Sequence, residues 1–232
     1  MVRRILPRSH TLPPSSLYNQ DKTNSQKKQK NIDAIYQPSF FNYLYSSMSF
    51  KEGSKFPAGV EFSYIPIQLD DLELINPLKC DVASQLKLDN LLTKLSTTDT
   101  PNLLIVSVPG AFTPTCTESH LPPYLENLAK LHDKKIGAIV VLATNDQFVV
   151  NAWGKVLIKA YVKTSGKFPE VMFASDGGFS EKYGLAGDRG GIIRNKRYAA
   201  VIDSKTKDVV YLGVETEKGV QSSGIDAVLA KL

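Results

Sequence analysis

The chain has 232 residues, 42% of them hydrophobic and 22% charged, with a net charge of +5, two cysteines and three histidines. That length and apolar content suit one globular domain with an appendage, and no window approaches the roughly 18 continuous apolar residues of a membrane span. Two cysteines are too few for a disulfide framework, and His10, His120 and His132 do not supply zinc-ligand spacing, so metal binding is not expected and a reducing compartment fits.

The charge is uneven. Residues 1–47 carry seven basic and two acidic side chains, so they hold the whole +5 and residues 48–232 balance. A basic face on the domain, and nucleic-acid binding with it, loses its support. Residues 1–54, rich in Ser, Asn, Gln, Lys and Pro, read as a disordered basic N-terminal extension, and residues 55–232 as the folded domain. No acid precedes Asp21, which makes a mitochondrial presequence the alternative to a cytoplasmic protein. Pro7, Pro13 and Pro14 interrupt the helix such a segment uses. Met48 offers a second start that would give a tail-free form.

In the domain the pattern predicts an edge strand over 62–68, where Pro66 is tolerable. A loop over 70–79 ends on Cys80. A helix over 82–95 carries the stripe Val82, Leu86, Leu88, Leu91, Leu92 and Leu95. The continuous apolar run 102–108 is a central strand covered on both faces. A helix over 117–132 follows, with a kink or a broken first turn expected from Pro122 and Pro123. A second buried strand, 136–142, leads to a helix capped by Asn145 or Asp146. Next come a strand over 171–174, a short helix over 179–184 and a loop over 188–191. Strands 197–203 and 208–214 form a hairpin, and Ser222 or Ser223 caps a last helix over 225–232. This order predicts an α/β fold, a central mixed sheet with helices on both faces.

Cys116 lies where a core strand passes through a Pro/Gly/Thr turn into a helix. Helix N-termini present unpaired N–H groups and partial positive charge, which stabilise a thiolate. A lone cysteine is more often a small buried hydrophobe. Here the flanks Thr113, Pro114, Thr115 and Thr117 are polar and turn-forming, which favours a reactive thiol.

The stretch Pro109-Gly110-Ala111-Phe112-Thr113-Pro114-Thr115-Cys116 resembles the active-site pattern of the peroxiredoxins, in particular the peroxiredoxin-five class. The similarity continues through residues 117–122, 144–154, 173–177 and 196–198, and covers about residues 55–232. It implies a thioredoxin-like fold and a thiol-dependent peroxidase without metal or other cofactor. It also implies that Cys116 is the peroxidatic nucleophile, that Thr113 orients the peroxide, and that Pro109 shields the site from bulk water. Arg197 would stabilise the thiolate and the charge developing on the peroxide oxygens. The substrate would be hydrogen peroxide or an alkyl hydroperoxide. The arrangement looks closest to the fungal thioredoxin-linked alkyl hydroperoxide reductases. That likeness implies Cys80 as resolving cysteine, a homodimer disulfide-linked when oxidised, and thioredoxin as reductant. One departure is Leu121-Pro122-Pro123 where the family often has Leu-Pro-Gly. A stiffer segment predicts slower resolution and easier overoxidation.

Two other readings compete. Cys116 and His120 share a helix face, which would suit a Cys–His hydrolase. The cysteine pair would also serve a redox-regulated chaperone or signalling switch with little peroxidase activity.

Overall fold

The computed structural model describes residues 50–69, 72–163 and 166–232. The extension up to residue 49, on which the expected second start at Met48 and the expected presequence fall, lies outside the described residues. In chain order the elements are β1 (Glu61–Tyr64), β2 (Ser84–Lys87), α1 (Leu88–Ser96), β3 (Asn102–Val108) and a wide helical turn (Thr115–His120) leading into α2 (Leu121–Glu126). Then follow α3 (Leu128–Asp133), β4 (Ile136–Ala143), α4 (Gln147–Tyr161), β5 (Glu170–Ser175), α5 (Phe179–Lys182), β6 (Ala186–Asp188), β7 (Ile193–Asn195), β8 (Tyr198–Asp203), β9 (Val209–Val214) and α6 (Ile225–Lys231).

Seven strands form one sheet in the order β2-β1-β5-β4-β3-β8-β9. β3, β4 and β5 run parallel, while β1 and β8 join them antiparallel, so the sheet is mixed as expected. The run at β3 is apolar throughout because both of its faces are covered. Leu103 and Ile105 pack with Leu88, Leu92 and Leu95 of α1 and Phe179 of α5. Leu104, Val106 and Val108 pack with Leu121, Leu125 and Leu128 of α2 and α3, Trp153 and Leu157 of α4, and Val228 of α6. Fully burying each such side chain contributes roughly 1.5–3 kcal/mol. The rigid C-terminal end of β3 is therefore fixed from two sides, and the loop to Cys116 begins there.

Several expectations need correction. The strand at 62–68 is shorter and lies inside the sheet, between β2 and β5, with Pro66 beyond its end. The helix read over 82–95 is two elements. Leu86 sits on β2, the helix starts at Leu88, and Val82 is 89% exposed, so it belongs to no stripe. Val82 and Leu86 are four residues apart, a helical spacing that extended the apparent stripe back across the junction. Of the kink or broken first turn expected from Pro122 and Pro123, the helix read over 117–132 has the second: its first turn is the wide turn Thr115–His120, and no kink lies at the two prolines themselves. Both stand in the first turn of α2, where an N–H has no intrahelical partner. A second break comes at Asn127, whose N–H reaches back only to the Tyr124 carbonyl. Neither Ser222 nor Ser223 caps α6, since Gly224 occupies that position. Around the 188–191 loop lies a hairpin of two three-residue strands, β6 and β7, too short to show a period.

Phe50, placed in the extension by composition, is buried and packs edge-on against Phe56, Phe179 and Tyr198. The segment after it lies along β9. The Gly53 N–H donates to the Val209 carbonyl, the Val209 N–H donates to the Ser54 carbonyl, and Lys55 bridges Asp208.

Helix α4 approaches β5 closely enough to require a glycine. A Cβ on Gly154 would lie 2.5 Å from the Phe173 ring, which is fully buried beside Trp153. Alanine would gain about 1 kcal/mol of helix propensity, but overpacking against an immobile ring costs about 1–3 kcal/mol. Gly154→Ala is expected to destabilise the protein, read as a lower urea midpoint with unchanged slope; a midpoint at or above wild type would refute the contact.

Candidate active site

The loop after β3 is held at three points. The Pro109 carbonyl accepts from Arg194 Nη1 at 3.2 Å, and the Ala111 N–H donates to Asn145 Oδ1 at 2.8 Å. Thr113 Oγ1 donates to the Gly110 carbonyl at 2.9 Å. Gly110 leaves room for Arg194, whose Nη1 would be 2.5 Å from a Cβ there. Phe112 takes φ 56°, a left-handed conformation that a bulky residue adopts only when the surroundings impose it.

The chain then enters the wide turn. The Thr117 N–H bonds the Thr113 carbonyl, but the Leu121 N–H reaches five residues back to the Cys116 carbonyl. Such widened turns recur at functional sites. Cys116 stands in its first turn and is fully buried against the α2/α4 side of the sheet. Trp153 Nε1 donates to Thr117 Oγ1 at 3.2 Å and ties the turn to α4.

Arg197 arrives between β7 and β8. Its Nη2 lies 3.5 Å from Cys116 Sγ, and its Nη1 lies 3.0 Å from His120 Nδ1. A guanidinium has only donors, so Nδ1 is the acceptor. The ring proton is therefore on Nε2, which donates to the Ser223 carbonyl at 2.8 Å. Tyr124 Oη donates to the same carbonyl at 2.7 Å. Burial pushes His120 down to about 4. The Arg197 charge adds to this, against the opposing pull of the Ser223 carbonyl and Glu215. The histidine is neutral at physiological pH.

Ser223 is itself clamped. Its N–H and Oγ donate to Glu215 Oε1 at 2.7 and 2.9 Å, and the Gln221 N–H donates to the same oxygen at 2.7 Å. Partial burial pushes Glu215 up, but these donors outweigh it and hold the carboxyl below its usual range. The Ser222 carbonyl crosses β9 so closely that a Cβ on Gly213 would lie 2.0 Å from its oxygen. The Glu215 N–H donates to the Arg197 carbonyl at 2.9 Å, closing the circuit.

Four of the five residues singled out in the sequence thus come together. Pro109, Thr113 and Arg197 line a cavity of about 610 Å³; Cys116 is buried and reaches this lining through its contact with Arg197. Cys80 is not among them. It is exposed, and its Sγ lies 3.9 Å from the carbonyl of its own Leu78. Its segment is fixed to α4, where Lys155 Nζ donates to the Lys79 carbonyl at 2.8 Å and Lys159 Nζ to the Ile75 carbonyl at 3.1 Å. Both cysteines are free thiols.

The Cys–His hydrolase reading fails on this geometry. Both ring nitrogens of His120 are engaged, one by Arg197 and one by Ser223, so neither faces the thiol as a base. Asn145, read as a helix cap, holds the active loop, while Asp146 caps α4. Arg194 and Glu215 carried no sequence signal and Ser223 only that of a helix cap, since their partners here are distant in the chain.

A family profile described as Redoxin matches residues 51–229. Among curated proteins, Peroxiredoxin AHP1 of Chaetomium thermophilum is 36% identical over 183 residues, which is 78% of this chain and 93% of that one. The chain belongs to the peroxiredoxin family. Peroxiredoxin Pen c 3 of Penicillium citrinum is 32% identical over 80% of this chain and its whole own length. A protein of Lipomyces kononenkoae described as a peroxisomal peroxiredoxin is 36% identical over 77% of this chain and 98% of that one. Reduced Prx3 of Vibrio vulnificus in complex with hydrogen peroxide superposes with TM-score 0.59 and 28% identity, over 78% of this chain and 98% of that one. This peroxiredoxin is accordingly a thiol-dependent peroxidase of thioredoxin-like fold that needs a peroxide and a thiol reductant. No described helix is long and apolar enough to cross a membrane.

His120 accepts a hydrogen bond from Arg197, so the role it offers is that of a positioning residue. His120→Leu removes the acceptor, while His120→Asn retains one near Nδ1. A hydrogen bond to a charged group is worth about 1.5–3 kcal/mol, so the Leu variant is expected to lose on the order of tenfold or more in kcat/KM for hydrogen peroxide, with partial rescue in Asn. The ring also predicts a pH dependence of stability. Its folded value of about 4 lies below the ordinary 6.5. The neutral ring's contribution is therefore complete above pH 6.5 and is lost as pH falls towards 4, on the order of 3 kcal/mol. Urea unfolding across that window is expected to show the loss in wild type and not in His120→Leu; parallel profiles would refute the assignment.

Proposed function

We propose that Cys116 is the peroxidatic cysteine of a thioredoxin-dependent peroxiredoxin that acts as a homodimer, with Cys80 as the resolving cysteine of the partner subunit. The supporting observation is the Arg197 guanidinium 3.5 Å from Cys116 Sγ, beside a cavity lined by Pro109 and Thr113. The guanidinium faces the sulfur and, being fixed by His120, needs no reorganisation when charge moves onto oxygen. Thr113 Oγ orients the peroxide and Pro109 limits bulk water.

The thiolate attacks the distal peroxide oxygen. An S–O bond forms, the O–O bond breaks, and the departing oxygen takes the hydroperoxide proton as water or alcohol. Sulfur is oxidised by two electrons to the sulfenic level. The Cys80 thiol then bonds to Cys116 sulfur, and the sulfenic oxygen leaves as water. The dithiol of thioredoxin reduces the disulfide. Because Cys116 is buried and Cys80 exposed and tied to α4, resolution requires the wide turn to open. We place the enzyme in a reducing compartment, the cytoplasm or, through residues 1–47, the mitochondrial matrix.

A coupled assay with NADPH, thioredoxin reductase and thioredoxin tests this. Cys116→Ser is expected to abolish turnover. Cys80→Ser is expected to keep the first, peroxide-dependent loss of the Cys116 thiol but to lose thioredoxin-linked turnover and the disulfide-linked dimer on a non-reducing gel. Oxidised wild type running as a monomer, with Cys80→Ser fully active, would refute the Cys80 role. Pro123→Gly frees the segment behind the turn, and is expected to speed disulfide formation and raise the peroxide concentration that causes sulfinic acid formation, read by mass spectrometry.

A further inference from the structure

We propose that the cavity beside Cys116 selects organic hydroperoxides that carry an anionic group, with Arg189 and Lys218 as the residues that read the charge. This rests on the peroxidase reading of Cys116. Hydrogen peroxide needs little more space than a water molecule, whose share of liquid volume is about 30 Å³. The cavity measures about 610 Å³, a size typical of sites for organic ligands.

Its charge is one-sided. Arg189, Arg194, Lys196 and Lys218 line it together with Arg197, against Glu215 and Glu217. Residues 48–232 are electrically balanced, so this excess is a local concentration and not a reflection of the basic N-terminal segment. Glu215 is already saturated by Gln221 and Ser223. None of the five cations forms a salt bridge among the described residues. Arg194 and Lys196 donate to the carbonyls of Pro109 and Gly184, which fix their positions without neutralising them. The Arg189 and Lys218 side chains make no hydrogen bond with described residues and are available to an incoming anion. A walled cavity with one sign of charge raises local counter-ion concentration and association rates.

The chemistry at sulfur is unchanged. The distal oxygen of the bound hydroperoxide passes to the Cys116 thiolate, the O–O bond breaks, and the organic part leaves as an alcohol that has taken the hydroperoxide proton. The anionic group stays intact, and a dithiol later returns the two electrons.

The probes are a medium-chain carboxylic acid bearing a hydroperoxide, its methyl ester, and hydrogen peroxide, assayed on the full chain at low and physiological salt. Wild type is expected to favour the acid over the ester by on the order of tenfold in kcat/KM at low salt, with the preference shrinking as salt rises. Arg189→Glu together with Lys218→Glu is expected to erase or reverse that preference and to leave hydrogen peroxide turnover unchanged. Equal rates for acid and ester in wild type would overturn the inference while leaving the peroxidase reading intact. So would a proportional loss on all three probes in the double variant. Wild type inert to hydrogen peroxide as well would overturn both.

Discussion

A single guanidinium shared between a thiol and a neutral histidine organises this site. Arg197 can serve the sulfur only if the imidazole beside it accepts rather than donates. That condition is met because His120 is buried and its other nitrogen is committed to the Ser223 carbonyl. Ser223 is in turn fixed by Glu215, on the strand-end that also bonds the Arg197 backbone. Segments more than a hundred residues apart thus agree on one proton. The low local dielectric makes such a network strong when satisfied and costly when broken.

What was legible in the sequence follows from how local each cause is. The central strand, the α/β order and the thiol at a helix start were readable, because each depends on neighbouring residues or on burial of a whole run. Cys116, Thr113 and Pro109 lie within eight residues. Arg197 was reached only through family resemblance, since nothing in its flanks marks it as more than a strand-end cation. His120 was noticed for the wrong reason. Helical spacing put it on the Cys116 face, but spacing cannot say which way two ring nitrogens are engaged. Glu215 and Ser223 are visible only once β9 and the turn before α6 are folded together. The split of residues 82–95 into strand and helix was hidden for a similar reason: Val82 and Leu86 are spaced as in a helix, and only pairing with β1 shows that Leu86 belongs to a strand.

The wide turn would reconcile two demands that the proposed resolution places on Cys116. Burial keeps the thiol away from adventitious thiols and holds it against Arg197. Exposure is needed whenever sulfur must meet a second sulfur. A turn with a five-residue reach is a weak link in an otherwise regular helix, placed next to prolines that do not depend on main-chain hydrogen bonds. Opening can then stay local, while α3, α4 and the sheet remain packed.

The segment that runs alongside β9 has a consequence for assembly. Open sheet edges invite other chains to add a strand. Here one edge, β9, is bonded at its first residue by the chain's own Gly53–Lys55 stretch, with Glu52 Oε2 at the Leu212 N–H and the Ser222 carbonyl against Gly213, and the other is β2, four residues long with Ser84, Gln85 and Lys87 facing solvent. Neither offers a long apolar template. Edge-to-edge addition of a strand from another chain is thereby disfavoured.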